Sequence, residues 1–182
     1  MRLLVLPALT VLLDGCVTWD VRPSAGHGPS AGHGCDPSQP FLRPTPVDSL
    51  NTPSNDWSPR LSADELEIFF ASTRPGGSGG YDLYVAKRAN PDDEFGTPEA
   101  VNELNTTDDE TEPFPTSDDL TLYYQSGQKI FVARRPSRQA RFGAGAPVTD
   151  INSVSAEDFD TAPYLAQGDE VIYFFLGTPR PL

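Results

Sequence analysis

The feature that most limits what this chain can fold into is a motif that returns three times along it. Phe41, Phe95 and Phe142 stand at one common spacing before Val47, Val101 and Val148, and a second common spacing leads on to Asn51, Asn105 and Asn152. A loop ending in proline follows each asparagine: Asp56-Trp-Ser-Pro59, Glu110-Thr-Glu-Pro113 and Asp160-Thr-Ala-Pro163. Next comes an acidic turn marked by Asp64, Asp118 and Asp169, and then a β-prone run over 66–70, 120–124 and 171–175. A period of about 50 residues is a spacing typical of propeller blades, whose units bury their faces only against neighbours.

Each unit reads as four short strands. The outermost comes first, around Phe95 to Val101. A strand near Pro113 to Thr116 is next, Leu120 to Gln125 is the third, and Ile130 to Arg135 the fourth. Aromatic and β-branched residues suit a pleated surface, and near-continuous apolar runs suit strands covered on both faces. In the first unit Gly76-Gly77-Ser-Gly79-Gly80 closes a hairpin before Tyr81–Arg88, because glycine takes positive φ without steric cost. Nineteen Pro and fifteen Gly fit many tight turns. The expected fold class is all-β: propeller-type blades of four antiparallel strands.

The run Leu66-Glu-Ile-Phe-Phe-Ala-Ser-Thr-Arg-Pro-Gly-Gly-Ser-Gly-Gly-Tyr-Asp-Leu-Tyr-Val-Ala resembles the TolB-type, WD40-like propeller repeat of bacterial envelope proteins. The likeness spans roughly Phe41 to Phe175 and is best in the first unit; the second keeps only Ser126-Gly-Gln of the glycine hairpin. It implies structural roles for Pro59, Asp64, Arg74, Gly76, Gly77, Gly79, Asp82, Pro113, Asp118, Pro163 and Asp169, with Arg74 capping turn carbonyls. Such propellers have about four to eight blades, and residues 41–182 hold about two and two-thirds. The expectation is therefore an incomplete propeller: a truncated product, a ring completed between chains, or an open stack. Exposed blade edges would favour self-association.

The first fifteen residues read as an address. Arg2 supplies a positive start and Leu3 to Leu13 an apolar core too short to span a bilayer, ending in Leu13-Asp14-Gly15-Cys16. This resembles the bacterial lipoprotein signal, which implies cleavage after Gly15 and lipid on Cys16; Asp14 departs from the usual small or uncharged residue. Residues 16–40 form a Pro/Gly/Ser/His spacer with a tandem Pro-Ser-Ala-Gly-His-Gly. His27, His33 and Cys35 are metal-type ligands there, but duplicated linker histidines explain the pattern more simply.

A formal net charge of −13 argues against nucleic acid, since a phosphate backbone needs Lys and Arg to displace its counterions. The two histidines lie in the spacer, so a Ser-His-Asp site has no base in the body. No metalloprotease or phosphate-loop motif occurs. Asp108, Asp109, Glu110 and Glu112 offer oxygens to calcium without EF-hand spacing, and no catalytic residue or cofactor is expected. The expected function is non-catalytic: a lipid-anchored protein on the periplasmic or outer-membrane face of the bacterial envelope, binding an envelope protein or a cell-wall polysaccharide. The alternatives are the propeller part of a larger or split hydrolase, or a truncated fragment without function.

Overall fold

Near-continuous apolar runs along successive short segments predict strands buried on both faces, and the computed structural model packs its sheets in this way. It describes residues 46–153, 160–166 and 168–176. The leader, Cys16, and the spacer with His27, His33 and Cys35 lie outside the described residues. The strands are β1 (Asp56–Leu61), β2 (Glu67–Ser72), β3 (Asp82–Lys87), β4 (Glu99–Ala100), β5 (Glu110–Pro115), β6 (Thr121–Ser126), β7 (Lys129–Arg134), β8 (Ala146–Pro147), β9 (Asp160–Ala166) and β10 (Val171–Leu176), with one helical turn, α1 (Thr149–Asn152), after β8. They form two four-stranded antiparallel sheets, β1-β2-β3-β4 and β5-β6-β7-β8, and a two-stranded sheet β9-β10. Among the described residues this is an all-β, propeller-like succession of sheets that does not close.

The frame of the sheets differs from the frame of the sequence repeat. The strand expected to open each unit pairs with the last strand of the unit before it: Tyr84 lies opposite Ala100, and Phe131 opposite Pro147. These outer strands are two residues long rather than running from Phe95 to Val101. Pro98 and Pro147 cannot donate to a ladder, which keeps the pairing short. The strand expected near Pro113 to Thr116 starts earlier, at Glu110.

Each inner strand carries a bulge. Ser58, Glu112 and Ala162 have φ of 50°, 50° and 52°, each just before the recurring proline, and the pairing register slips there. A bulge leaves one residue out of the ladder, which is where proline, lacking an N–H, is tolerated. A second left-handed residue follows in each turn: Glu65, Asp119 and Asp169. Asp169 thus occupies the position of Asp119, not that of Asp118 as the repeat alignment predicted. The pairing fixes this, since Thr121 and Val171 both begin the second strand of their sheets.

Cross-strand partners define the two faces of each sheet. In the first, Phe69 opposite Val85 and Ala71 opposite Leu83 face the second sheet, while Phe70 opposite Tyr84 and Ile68 opposite Ala86 face the other way. The core between the two sheets joins Phe69, Leu83, Val101 and Leu104 to Leu122, Tyr124, Ala133 and Phe142. Burying each large side chain contributes roughly 1.5–3 kcal/mol. The repeated phenylalanines also carry cations: Arg88 lies 4.4 Å from the Phe95 ring centre and Arg135 4.7 Å from that of Phe142.

Candidate functional site

The sheets end in two rims. One carries the acidic turns at 62–66, 116–120 and 168–170. The other carries the β2–β3 and β6–β7 hairpins and the loop that enters β5.

At the turn rim, chemistry is spent on holding sheets together. Asp64 accepts hydrogen bonds from the Ser62 hydroxyl at 2.8 Å and the Leu66 N–H at 3.1 Å; Asp118 accepts the same pair from Thr116 at 2.7 Å and Leu120 at 2.9 Å. Each left-handed aspartate reaches back to the turn before it. Asp119 accepts from the Ala63 N–H at 3.4 Å, and Asp169 from the N–H and hydroxyl of Ser117, both at 2.6 Å. Beneath them lies an ion-pair network, buried at Glu67 and Arg135, that the sequence reading missed. Glu67 meets Arg135 of the next sheet at 2.6 Å and Lys87 at 2.7 Å, and Arg138 bridges Asp64 and Asp119. Burial opposes charge on Glu67, but its hydrogen bonds with Arg135 and Lys87 outweigh that and hold the carboxyl below its ordinary range. The Arg138 hydrogen bonds hold Asp64 far below its ordinary range, whereas burial raises Asp119 despite Arg138.

At the hairpin rim, conformation is fixed by carboxylates acting on backbone. Asp82, buried, accepts from the N–H groups of Ser78 at 2.9 Å and Gly79 at 3.2 Å, tying down the glycine turn. Gly76 has φ of 111°, and a Cβ on Gly79 would lie 2.3 Å from the Asp108 carbonyl oxygen, so the hairpin touches the β5 loop backbone to backbone. A Cβ on Gly77 would meet the Asp82 carboxylate. Arg74 donates to the Leu50 carbonyl and to Asp56, each at 2.7 Å, and lies 4.7 Å from the Phe70 ring centre. Pro113 and Pro163 are buried between sheets, and Pro59 is exposed.

The four carboxylates considered for calcium do not converge. Glu110 is buried and accepts from the Thr106 hydroxyl at 2.6 Å and the Ser126 hydroxyl at 2.7 Å. Glu112 accepts from the Trp57 indole at 3.3 Å and the Ser58 hydroxyl at 2.8 Å. Asp109 accepts from the Tyr81 N–H at 2.8 Å. Among the described residues no group of three or more metal-type ligands gathers at one point.

Asp108 and Asp109 do share a groove. Tyr81, Thr107, Asp108, Asp109, Thr111, Gln125, Gly127 and Gln128 line an open cleft of about 590 Å³ between the hairpins of the first two sheets. Its walls are braced: the Glu110 N–H donates across the sheets to the Tyr81 carbonyl at 2.8 Å, and within the second sheet the Gly127 N–H donates to the Asp109 carbonyl at 3.0 Å. Nothing in the repeat pattern singled out Tyr81, Thr107, Thr111, Gln125 or Gln128. The available signal was that all sit at strand ends on one rim.

No family model, curated protein or solved structure matches this chain. The groove is therefore read from its own chemistry: a tyrosine ring, two carboxylates, two amides and two hydroxyls on a braced backbone, suited to hydrogen bonding and stacking.

Proposed function

We propose that this protein is a non-catalytic binding protein of the bacterial envelope, held by lipid on Cys16, and that the groove between the first two hairpins takes a cell-wall polysaccharide. One observation carries the reading: Tyr81, Gln125, Gln128 and the Asp108–Asp109 pair line one open cleft whose two sides are tied by the Glu110–Tyr81 backbone bond and the bond from the Tyr81 N–H to the Asp109 carboxylate. Hydroxyl-rich and amide-rich sugars meet such a surface with ring stacking and paired hydrogen bonds, and rigid walls keep the ordering cost low. Loops on a rigid scaffold are the usual place for recognition. The spacer at residues 16–40 gives the body reach beyond the membrane surface.

Co-sedimentation of the full chain with purified peptidoglycan sacculi tests the groove. Retention is expected, with Tyr81→Ala combined with Gln128→Ala weakening it at least tenfold; equal retention of the variant, or none of the wild type, removes the reading. The anchor is tested separately by metabolic labelling with a fatty acid, which Cys16→Ser should abolish.

A further inference from the structure

The repeat supplies a physical measure of which surfaces are built to be covered. Each sheet has a front face toward the next sheet and a back face toward the one before. Pro113 and Pro115, on the back face of the second sheet, are buried where β5 crosses β1 and β2. Pro163 and Leu165, on the back face of the third, are buried where β9 crosses β5, β6 and β7. The matching positions in the first sheet are Pro59 and Leu61. Both are exposed, Leu61 by 45% against 6% for Leu165. The front face shows the reverse. Phe69, facing forward from the first sheet, is 1% exposed and packs edge-on against Phe142 at 6.1 Å. Its counterpart in the third sheet, Tyr173, is 54% exposed, and its cross-strand neighbour Tyr164 is 47% exposed.

The β1 margin of the back of the first sheet, beside the part where Phe70 and Tyr84 are already covered with Leu50, and the front of the third are thus the two halves of an interface that the chain already forms twice internally. We propose that they are joined in solution by a second copy of this chain, packed head to tail. The open faces are continuous in kind with the internal interface: each repeats a face that elsewhere receives a sheet of this same sequence. A contact between unlike faces propagates until a rotation closes it. Two copies bring together six sheets of described residues, within the roughly four to eight blades at which such rings close.

Sedimentation velocity of the full chain carrying Cys16→Ser, in reducing buffer so that neither lipid nor a disulfide joins two molecules, reads this directly. A concentration-dependent species of twice the monomer mass is expected. Leu61→Glu at the back face and Tyr173→Glu at the front face should each weaken it at least tenfold. Mixing the two variants should restore a dimer, because each keeps the half that the other has lost; a misfolded variant could not do this. A monomer at all concentrations, variants that pair as the wild type does, or folded variants that stay apart when mixed would each overturn the proposal.

Discussion

Asn105 is joined to Leu83 at both ends of its amide: its side-chain oxygen accepts the Leu83 N–H at 2.8 Å, and its side-chain nitrogen donates to the Leu83 carbonyl at 3.1 Å. Asn152 grips Ile130 in the same way, at 3.0 and 2.9 Å. In both cases the amide extends the outer edge of a sheet beyond the point where a two-residue strand stops pairing. The turn that aims each asparagine is closed by its own N–H donating to the valine carbonyl, Val101 or Val148. This explains why valine and asparagine recur at a fixed spacing.

Asn105→Ala leaves the N–H of a fully buried residue, Leu83, without its partner, while the Leu83 carbonyl keeps the Val101 N–H at 2.9 Å. An unmet buried group costs about 1–3 kcal/mol. The expected loss is therefore about 1–3 kcal/mol, measured by urea unfolding. Asn105→Asp keeps the acceptor but loses the donor, and it should fall between alanine and the wild type.

The Glu67–Arg135 pair is almost fully buried and links the first two sheets. Arg135→Met leaves Glu67 with Lys87 as its remaining cation, so it should cost about 3 kcal/mol, the low end for breaking a buried pair. Exchanging both residues for apolar ones should cost less than the sum of the single changes, which a double-mutant cycle would read.

Acid should loosen the same seam. Glu67 and Asp64 have folded pKa values below their ordinary 4.5 and 3.8. Their stabilisation is fully present above those ordinary values and is lost as pH falls from there through the folded values. Asp119 acts in the opposite sense: burial raises its pKa above 3.8, so its protonation in the folded chain relieves a cost as the pH falls. With four depressed carboxyls in the chain, Asp56, Asp64, Glu67 and Asp118, against the raised Asp119, net stability should fall below about pH 4. Glu67→Gln should flatten this limb of a stability-against-pH curve.

At the alkaline end the marker is Tyr124. Burial, followed by the charge of Glu110, pushes its hydroxyl from 10.0 up to about 12. The unfolded chain would ionise first, so this residue's contribution to stability is complete below about pH 10 and is lost as pH rises toward 12. Burial also raises Tyr84, so phenolate absorbance should show two tyrosines titrating later in the wild type than in the unfolded chain. Tyr124→Phe should remove the step nearest pH 12 and leave that of Tyr84.

Gly79→Ala should destabilise the hairpin by roughly 1–3 kcal/mol, because the new methyl would press on the Asp108 and Thr106 carbonyls of the next sheet's loop. Gly168 has positive φ and open space around it. Gly168→Ala should therefore show only the smaller cost of backbone strain. Thermal unfolding of the two variants checks the order.

By itself the sequence determined the all-β class, the repeat, the turn chemistry at Asp64 and Asp118, and the glycine hairpin, because these depend on spacing and local backbone preference. Those are properties of a few consecutive residues. Tertiary structure alone decided which sheet owns each outer strand, that Asp169 stands in the place of Asp119, that Glu67 meets Arg135, and that Tyr81 shares a groove with Gln128. Each of these joins residues from different repeat units. A hydrophobic period says that a face will be buried, but only the packing of one sheet on the next says against what.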